Sequence, residues 1–173
     1  MKLEIPFDEV TFSEQNKLNF KIHWDKNLKI NRNRIYWAIP LLIFGCLIVY
    51  KKDNLGFLFI GIAVHYFIKT LEYYNFYRKN KTNHLELIAS EIEKRKASEV
   101  NSTLEFTDEY FRFSDHNYDT KIFWTTFKSY RIIDENLFLD VNSNYYSSYI
   151  IGKSEVGTEK FEEIIKLITT KIP

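Results

Sequence analysis

The chain has few of the residues that mark common catalytic and redox sites. It contains a single cysteine, Cys46, which excludes an intramolecular disulfide and leaves a cysteine-based metal site without a second thiolate. Its five glycines form no GxGxxG, GxxxxGK or GxSxG pattern, so the usual signatures of nucleotide binding and hydrolysis are absent. The opening residues, MKLEIPFDEV, carry acids where a signal peptide has basic and apolar regions, and no signal peptide is predicted. We therefore expect neither an enzyme nor a bound cofactor.

Metal-ligand spacing is also missing. The four histidines lie in four separate parts of the chain, without a pattern such as HExxH: His23, His65, His84 and His116. The paired acids at 108–109 and 134–135 are typical of solvated turns. The sequence therefore predicts no catalytic residue and no metal site.

The formal net charge of +1 conceals an uneven distribution. Basic residues exceed acidic residues by two in 1–34, by one in 35–77 and by two in 78–103, whereas 104–173 has a balance of −4. An acidic last third argues against nucleic-acid binding there, because phosphate contacts require a basic surface. No nucleic-acid partner is expected.

Two apolar runs, at 35–50 and 55–68, are separated by the polar sequence KKDN. At about 1.5 Å per residue the first spans about 24 Å, and flanking Lys, Arg, Tyr and Trp side chains can extend it towards the roughly 30 Å of a hydrocarbon core. A buried helical hairpin of a soluble protein is the alternative. Both runs are apolar on all sides, whereas a surface helix has one apolar stripe. This pattern favours a transmembrane helical hairpin over 35–77, with the lipid bilayer as a partner.

The flanking charges predict the orientation of that hairpin. Arg32 and Arg34 precede it and further basic residues follow it, against Lys51 and Lys52 in the connection. This excess of basic residues on the terminal side of the hairpin predicts that both termini lie on the cytoplasmic side of a bacterial inner membrane. His65 is the one ionisable side chain deep within the runs, which makes it a candidate intramembrane polar site. The alternative is a neutral imidazole that faces the partner helix or the interface.

The segments around the hairpin have mixed signals. The N-terminal KLEIPF alternates as a strand does, while 8–30 permit either a helix that Ser13 would cap or a further strand. After the hairpin, 78–103 predict a helical stalk that continues to about Lys96, because Leu85, Ile88 and Ile92 share one helical face.

From residue 104 the sequence changes to short alternating runs between turn residues, which is the pattern of a strand meander. The run KIFWTTFKSYRII is long enough for two strands joined near Ser129, with Trp124 as a core residue of the sheet. Thr158 is the predicted cap of a final helix. Its apolar stripe consists of Phe161, Ile164, Ile165 and Ile168.

This order of elements resembles a known family. Two membrane helices, strands with the motif KIFWTTFKSYRIIDENLFLDV and a final FEEIIKLI helix resemble the YcxB-like family of small bacterial membrane proteins, over nearly the whole chain. The resemblance implies a soluble part similar to a pleckstrin-homology fold, and it implies no binding residue. In one respect the chain departs from the family: YIIGKSEV has Gly152 where these proteins commonly have a proline before the last helix.

The predicted fold class is accordingly α+β. Residues 1–34 form an amino-terminal strand and a pre-membrane segment, 35–77 the transmembrane hairpin and 78–103 the stalk. Residues 104–173 form an antiparallel, pleckstrin-homology-like sheet domain with a C-terminal helix.

The Tyr-rich stretch NSNYYSSYIIG at 142–152 is the candidate partner-binding surface. Tyrosine and serine at this density are typical of recognition surfaces, and an edge strand with one solvated face is the alternative. The candidate residues are Tyr145, Tyr146, Tyr149 and the nearby Asp140.

These patterns favour a non-enzymatic inner-membrane protein that presents a cytoplasmic protein-binding module. The alternative is a membrane immunity protein that neutralises a cognate bacterial toxin, because an acidic, Tyr-rich face suits a basic partner. A small membrane enzyme or transporter would require chemistry from His65. No oligomeric state is predicted.

Overall fold

A computed structural model describes residues 1–98, 100–142 and 148–172 of the chain. Two long apolar helices, two antiparallel sheets and a C-terminal helix confirm the predicted α+β class. The chain divides into two compact units, Asn19–Leu87 and the combination of Met1–Leu18 with Ile88–Pro173. We call the first the hairpin unit and the second the sheet unit.

Helices α1, Glu9–Tyr50, and α2, Leu55–Ser98, each contribute residues to both units. The first begins after Asp8, whose carboxylate accepts a hydrogen bond from the Thr11 N–H at 2.8 Å and satisfies a free donor of the first turn. Ser13, the predicted cap, lies inside the helix. No glycine or proline interrupts the chain from Ser13 to Pro40, and the ambiguous segment is helical from Glu9 onwards rather than extended. Helix α2 continues beyond the apolar run into the segment of the predicted stalk and ends at Ser98.

The hairpin turn at 51–54 has its own local determinants. Lys52 takes a positive φ of 64°, and the Asp53 carboxylate accepts a hydrogen bond from the Leu55 N–H at 2.9 Å. The turn therefore caps the start of α2 while it reverses the chain.

The two helices of the hairpin unit meet along positions that recur every seven residues. On α1 these are Trp24, Asn31, Ala38 and Gly45, and on α2 they are Gly56, Ala63, Thr70 and Tyr77. The Trp24 and Tyr77 rings lie 5.3 Å apart, and the Asn31 amide donates to the Thr70 carbonyl at 3.3 Å. We call these eight positions the seam. A seven-residue repeat keeps one face of each helix in contact with the other helix, and small residues on that face let the helix backbones approach closely.

Most of the apolar surface of this hairpin is exposed. Each helix contains a window long and apolar enough to cross a membrane, of which only 11% in α1 and 17% in α2 is buried. The exposed side chains include Tyr36, Trp37, Ile43, Phe44, Leu47, Phe57 and Leu58. A core helix of a soluble protein has most of such a window buried, so these two helices are candidate membrane spans.

The sheet unit contains two antiparallel sheets. The first has the order β1, Lys2–Ile5; β2, Ser102–Phe106; β3, Tyr110–Ser114; and β4, Asp119–Phe123. The second has the order β5, Phe127–Ile133; β6, Asn136–Val141; and β7, Ser148–Gly152. Two helices follow, α3, Lys153–Val156, and α4, Thr158–Lys171. The apolar stripe of α4 packs on the sheets as predicted, with Phe161, Ile164 and Ile168 buried.

Three details differ from the sequence predictions. The long run after residue 119 divides at a 3₁₀ turn, Trp124–Thr126, and not near Ser129, where a β-bulge interrupts the register instead. Gly157, with a φ of 81°, occupies the cap position of α4, and Thr158 is its first residue. The sheet unit also includes β1 and the ends of both long helices, whereas the prediction began the soluble domain at residue 104.

Trp124 is a core residue of the sheet unit, although it lies on the 3₁₀ turn rather than on a strand. Its side chain is 5% exposed, its indole N–H donates to the Thr107 carbonyl at 3.0 Å, and its ring lies 5.6 Å from that of Phe127. Trp124→Ala is expected to lower the free energy of unfolding of this unit by about 3 to 5 kcal/mol. Denaturant unfolding of the full chain in detergent measures this, with the exposed Trp37→Ala as control. Equal transitions in the two variants would contradict a core role.

Candidate functional site

A cleft of about 190 Å³ opens in the sheet unit where its sequence-distant parts converge. The loop before α1, the first turns of α1, the last turns of α2, the first sheet and β7 all line it. Its main lining residues are Phe7, Phe12, Gln15, Arg95, Ser102, Phe113, Tyr149 and Glu155.

Arg95 forms one wall of this cleft and is held by the chain's own groups. Its guanidinium donates to the Asp115 carboxylate at 2.5 Å, to Glu91 at 3.2 Å and to the Ser102 hydroxyl at 3.3 Å. It also lies 4.8 Å from the ring centroid of Phe12, within cation–π range. The Arg95 side chain is 13% exposed and that of Asp115 only 2%, so this ion pair is largely shielded from water.

The opposite side of the cleft is a hydrogen-bonded corner around Glu155. One carboxylate oxygen of Glu155 accepts from the Gln15 amide at 2.6 Å and from the Gly152 N–H at 2.7 Å. A Cβ at position 152 would lie 2.7 Å from the Gln15 amide nitrogen, and a proline there would remove the N–H donor. The N–H of Gly152 is therefore one of the two donors that hold the Glu155 carboxylate in this corner.

Tyr149 and Asp140 are two of the four predicted partner-binding residues, and both have partners within the chain. The Tyr149 ring packs 5.2 Å from Phe111 and 5.6 Å from Phe113, and burial raises the pKa of its hydroxyl. Asp140 accepts two hydrogen bonds from Arg131, at 2.7 and 2.8 Å, and one from Ser148 at 2.6 Å. Burial acts to raise the pKa of Asp140, but these hydrogen bonds outweigh it and the pKa falls below its ordinary value.

The other two candidates, Tyr145 and Tyr146, lie outside the described residues. Of the predicted set, therefore, the described part of the chain places only Tyr149 in the cleft. The stretch as a partner-binding surface stays a prediction.

His65 lies on an exposed face of α2 in the hairpin unit, near Tyr66 at a ring distance of 6.4 Å. It is not one of the seam positions of that helix. The imidazole therefore faces outwards from the hairpin rather than towards α1.

Sequence reasoning missed a second group of ligand-type side chains, behind Arg95. His116 Nε2 lies 3.6 Å from a Glu91 carboxylate oxygen, and His116 Nδ1 lies 4.0 Å from Asp115. Glu91, Asp115 and His116 each offer one metal-ligating atom, all within 4.8 Å of one another. Glu91 is on α2 and the other two are on the β3–β4 turn, so no local spacing could have revealed them.

The cleft is better arranged for binding than for acyl transfer. Ser102 is hydrogen bonded to Arg95 and Ser148 is hydrogen bonded to Asp140, so neither hydroxyl has a histidine as its base. The charged and amide side chains named above are hydrogen bonded within the chain, and the remaining walls of the cleft are aromatic and aliphatic.

Comparison of the chain with protein-family models, curated proteins and solved structures gives no match. The resemblance to the YcxB-like family and to a pleckstrin-homology fold therefore stays a prediction, and the contacts described above are the basis for a functional assignment.

Proposed function

We propose that the chain is a non-enzymatic protein of the bacterial inner membrane, a YcxB-like protein whose hairpin anchors a pleckstrin-homology-like unit that binds another protein. The membrane location is supported by the exposure of two long apolar helices. Only 11% of the apolar window in α1 and 17% of that in α2 is buried. The free energy gained on burying apolar surface, about 25 cal/mol per Å², favours a lipid environment for such a surface.

The size and chemistry of the cleft support a protein partner. Pockets for small molecules and cofactors commonly have volumes of about 300 to 1,000 Å³. A cleft of about 190 Å³ with an aromatic floor instead suits one or two side chains of a partner protein. The Tyr-rich stretch at 142–152 adjoins it through Ser148 and Tyr149, which also line it.

Membrane insertion and orientation are tested with single cysteines in a Cys46→Ala background. Because basic residues flank the hairpin on its terminal side, Asn54→Cys in the turn should react with an impermeant maleimide added to intact cells. Glu109→Cys, in the exposed β2–β3 turn, should react only after the membrane is permeabilised. The reverse labelling would invert the topology, and recovery of the protein in the carbonate-soluble fraction would exclude the anchor.

Partner binding is tested by affinity purification from native membranes in mild detergent. We expect one stoichiometric partner, which is lost in the double variant Tyr145→Ala, Tyr146→Ala and retained in Tyr118→Ala, an exposed tyrosine of the β3–β4 turn. Melting temperatures of all three proteins should agree. Retention of the partner by the double variant would remove this stretch from the interface. A basic toxin as the partner would favour the immunity function over a housekeeping one.

A further inference from the structure

We propose that Glu91, Asp115 and His116 bind one divalent transition-metal ion, with zinc as the best match to the donor set. This site is separate from the cleft surface proposed for a protein partner, and it stands on different observations.

The first observation is an imidazole nitrogen without a partner. The His116 side chain is 8% exposed, yet its Nε2 is buried and has no hydrogen-bond partner among the described residues. A buried polar atom without a partner loses its hydrogen bonds to water and gains none in the protein, so buried nitrogens of this kind are rare. The atom points towards Glu91, the nearest carboxylate.

The second observation is the spacing of the three side chains. The distance of 3.6 Å from His116 Nε2 to Glu91 exceeds the roughly 2.7 to 3.2 Å of an N–H···O hydrogen bond. Two ligand atoms on one tetrahedral zinc ion, each bonded at about 2.0 to 2.1 Å, lie about 3.3 Å apart. With all three ligand atoms within 4.8 Å of one another, a shift of under about 1.5 Å would bring them to zinc distances.

The third observation is the charge of the group. Glu91 and Asp115 contribute two formal negative charges and Arg95 one positive charge, which leaves the cluster at −1 when His116 is neutral. Buried charges need a compensating partner. Arg95 is compatible with the ion, because donors that hydrogen bond to ligand carboxylates commonly orient them in metal sites.

The donor set selects among ions. Magnesium and calcium prefer all-oxygen ligands, whereas one imidazole with two carboxylates suits zinc and its transition-metal neighbours. The fourth zinc position would then be taken by water.

The experiment titrates zinc chloride into the full chain in detergent, after chelator treatment and removal of any histidine tag. We expect one zinc ion per chain by calorimetry. His116→Asn and Glu91→Gln should each weaken binding by at least tenfold. The matched controls His65→Asn and Glu86→Gln, which change an exposed histidine and an exposed carboxylate of α2, should bind as the unmodified chain does.

Absence of zinc binding, or unchanged affinity in His116→Asn and Glu91→Gln, would overturn the proposal, as would loss of binding in the His65→Asn control. If either site variant fails to fold, cobalt titration of the unmodified chain decides, because a protein-bound tetrahedral cobalt ion has intense absorption bands at longer visible wavelengths, whereas octahedral hydrated cobalt absorbs only weakly. No such bands, together with a melting temperature that zinc leaves unchanged, would also overturn it. Loss of a protein partner has no bearing on this outcome.

Discussion

Gly56→Leu is expected to disrupt the hairpin unit, with a loss of at least about 3 kcal/mol in its free energy of unfolding. A Cβ at Gly56 would lie 2.5 Å from the Gly45 carbonyl oxygen and 2.7 Å from the Val49 backbone nitrogen. A rotamer change cannot move backbone atoms, so the two helices would have to separate along the seam. Inserted side-chain volume commonly costs about 1 to 3 kcal/mol in a packed core, and more where backbones must move.

Gly61→Leu is the matched control, since a Cβ at that position meets nothing within 4 Å. Both substitutions exchange glycine for leucine in α2 and share any gain in helix propensity, about 0.8 to 1 kcal/mol at most. The difference in stability between the two variants therefore measures the effect of added side-chain volume at the seam. Unfolding in mixed micelles with increasing SDS, followed by helical circular dichroism, measures both. Equal midpoints would contradict close packing of the helices at Gly56.

The long helices and their exposure could be read from the sequence because their signals are local. Two apolar runs and the polar turn between them predict a helical hairpin, and the absence of glycine and proline from 62–98 predicts its continuation as a stalk. The ambiguity of 8–30 arose because Leu18, Phe20, Ile22 and Trp24 alternate as in a strand. The Asp8 cap and the packing of Trp24 against Tyr77 resolve it in favour of the helix.

The seam of the hairpin shows how a signal can be present in a sequence and still be missed. Its residues recur every seven positions, but apart from the aromatic pair Trp24 and Tyr77 they are small or polar, whereas apolar residues occupy most positions between them. Apolar periodicity therefore indicates two helices that are apolar on all sides, and it does not identify the face through which they contact each other. In membrane helices small residues are the better indicator of contact.

The solvated turns at 108–109 and 134–135, the burial of Trp124 and the apolar stripe of α4 could be predicted from the sequence, but the division of the strands into two sheets could not. The segment KIFWTTFKSY contains no glycine, proline, asparagine or aspartate, so no strong turn residue marks where β4 ends. Pairing of β1 with β2 joins residues about a hundred positions apart, which no local pattern encodes. The cluster of Glu91, Asp115 and His116 depends on similar long-range contacts, and so does most of the cleft.

Arg95→Met should cause the largest loss of stability among single substitutions at the charged groups of the sheet unit, about 3 to 5 kcal/mol. The change keeps much of the apolar volume of the side chain but leaves the Asp115 carboxylate, 2% exposed, without its guanidinium partner. Removing one member of a buried ion pair costs about this much, because the remaining charge stays shielded from water.

Arg112→Met is the control for Arg95→Met, since Arg112 also holds an aspartate with two bonds, to Asp119 at 2.7 Å each. The Arg112 side chain is 45% exposed, and exposed pairs contribute about 0 to 1 kcal/mol. Denaturant unfolding of both variants of the full chain in detergent, followed by near-ultraviolet circular dichroism, compares the two losses. A second substitution, Asp115→Asn, in the Arg95→Met chain should recover part of the lost stability by removing the stranded charge. If Arg95→Met cost no more than Arg112→Met, water would have to reach the Asp115 carboxylate, and the shielded cluster behind the cleft would not exist in solution.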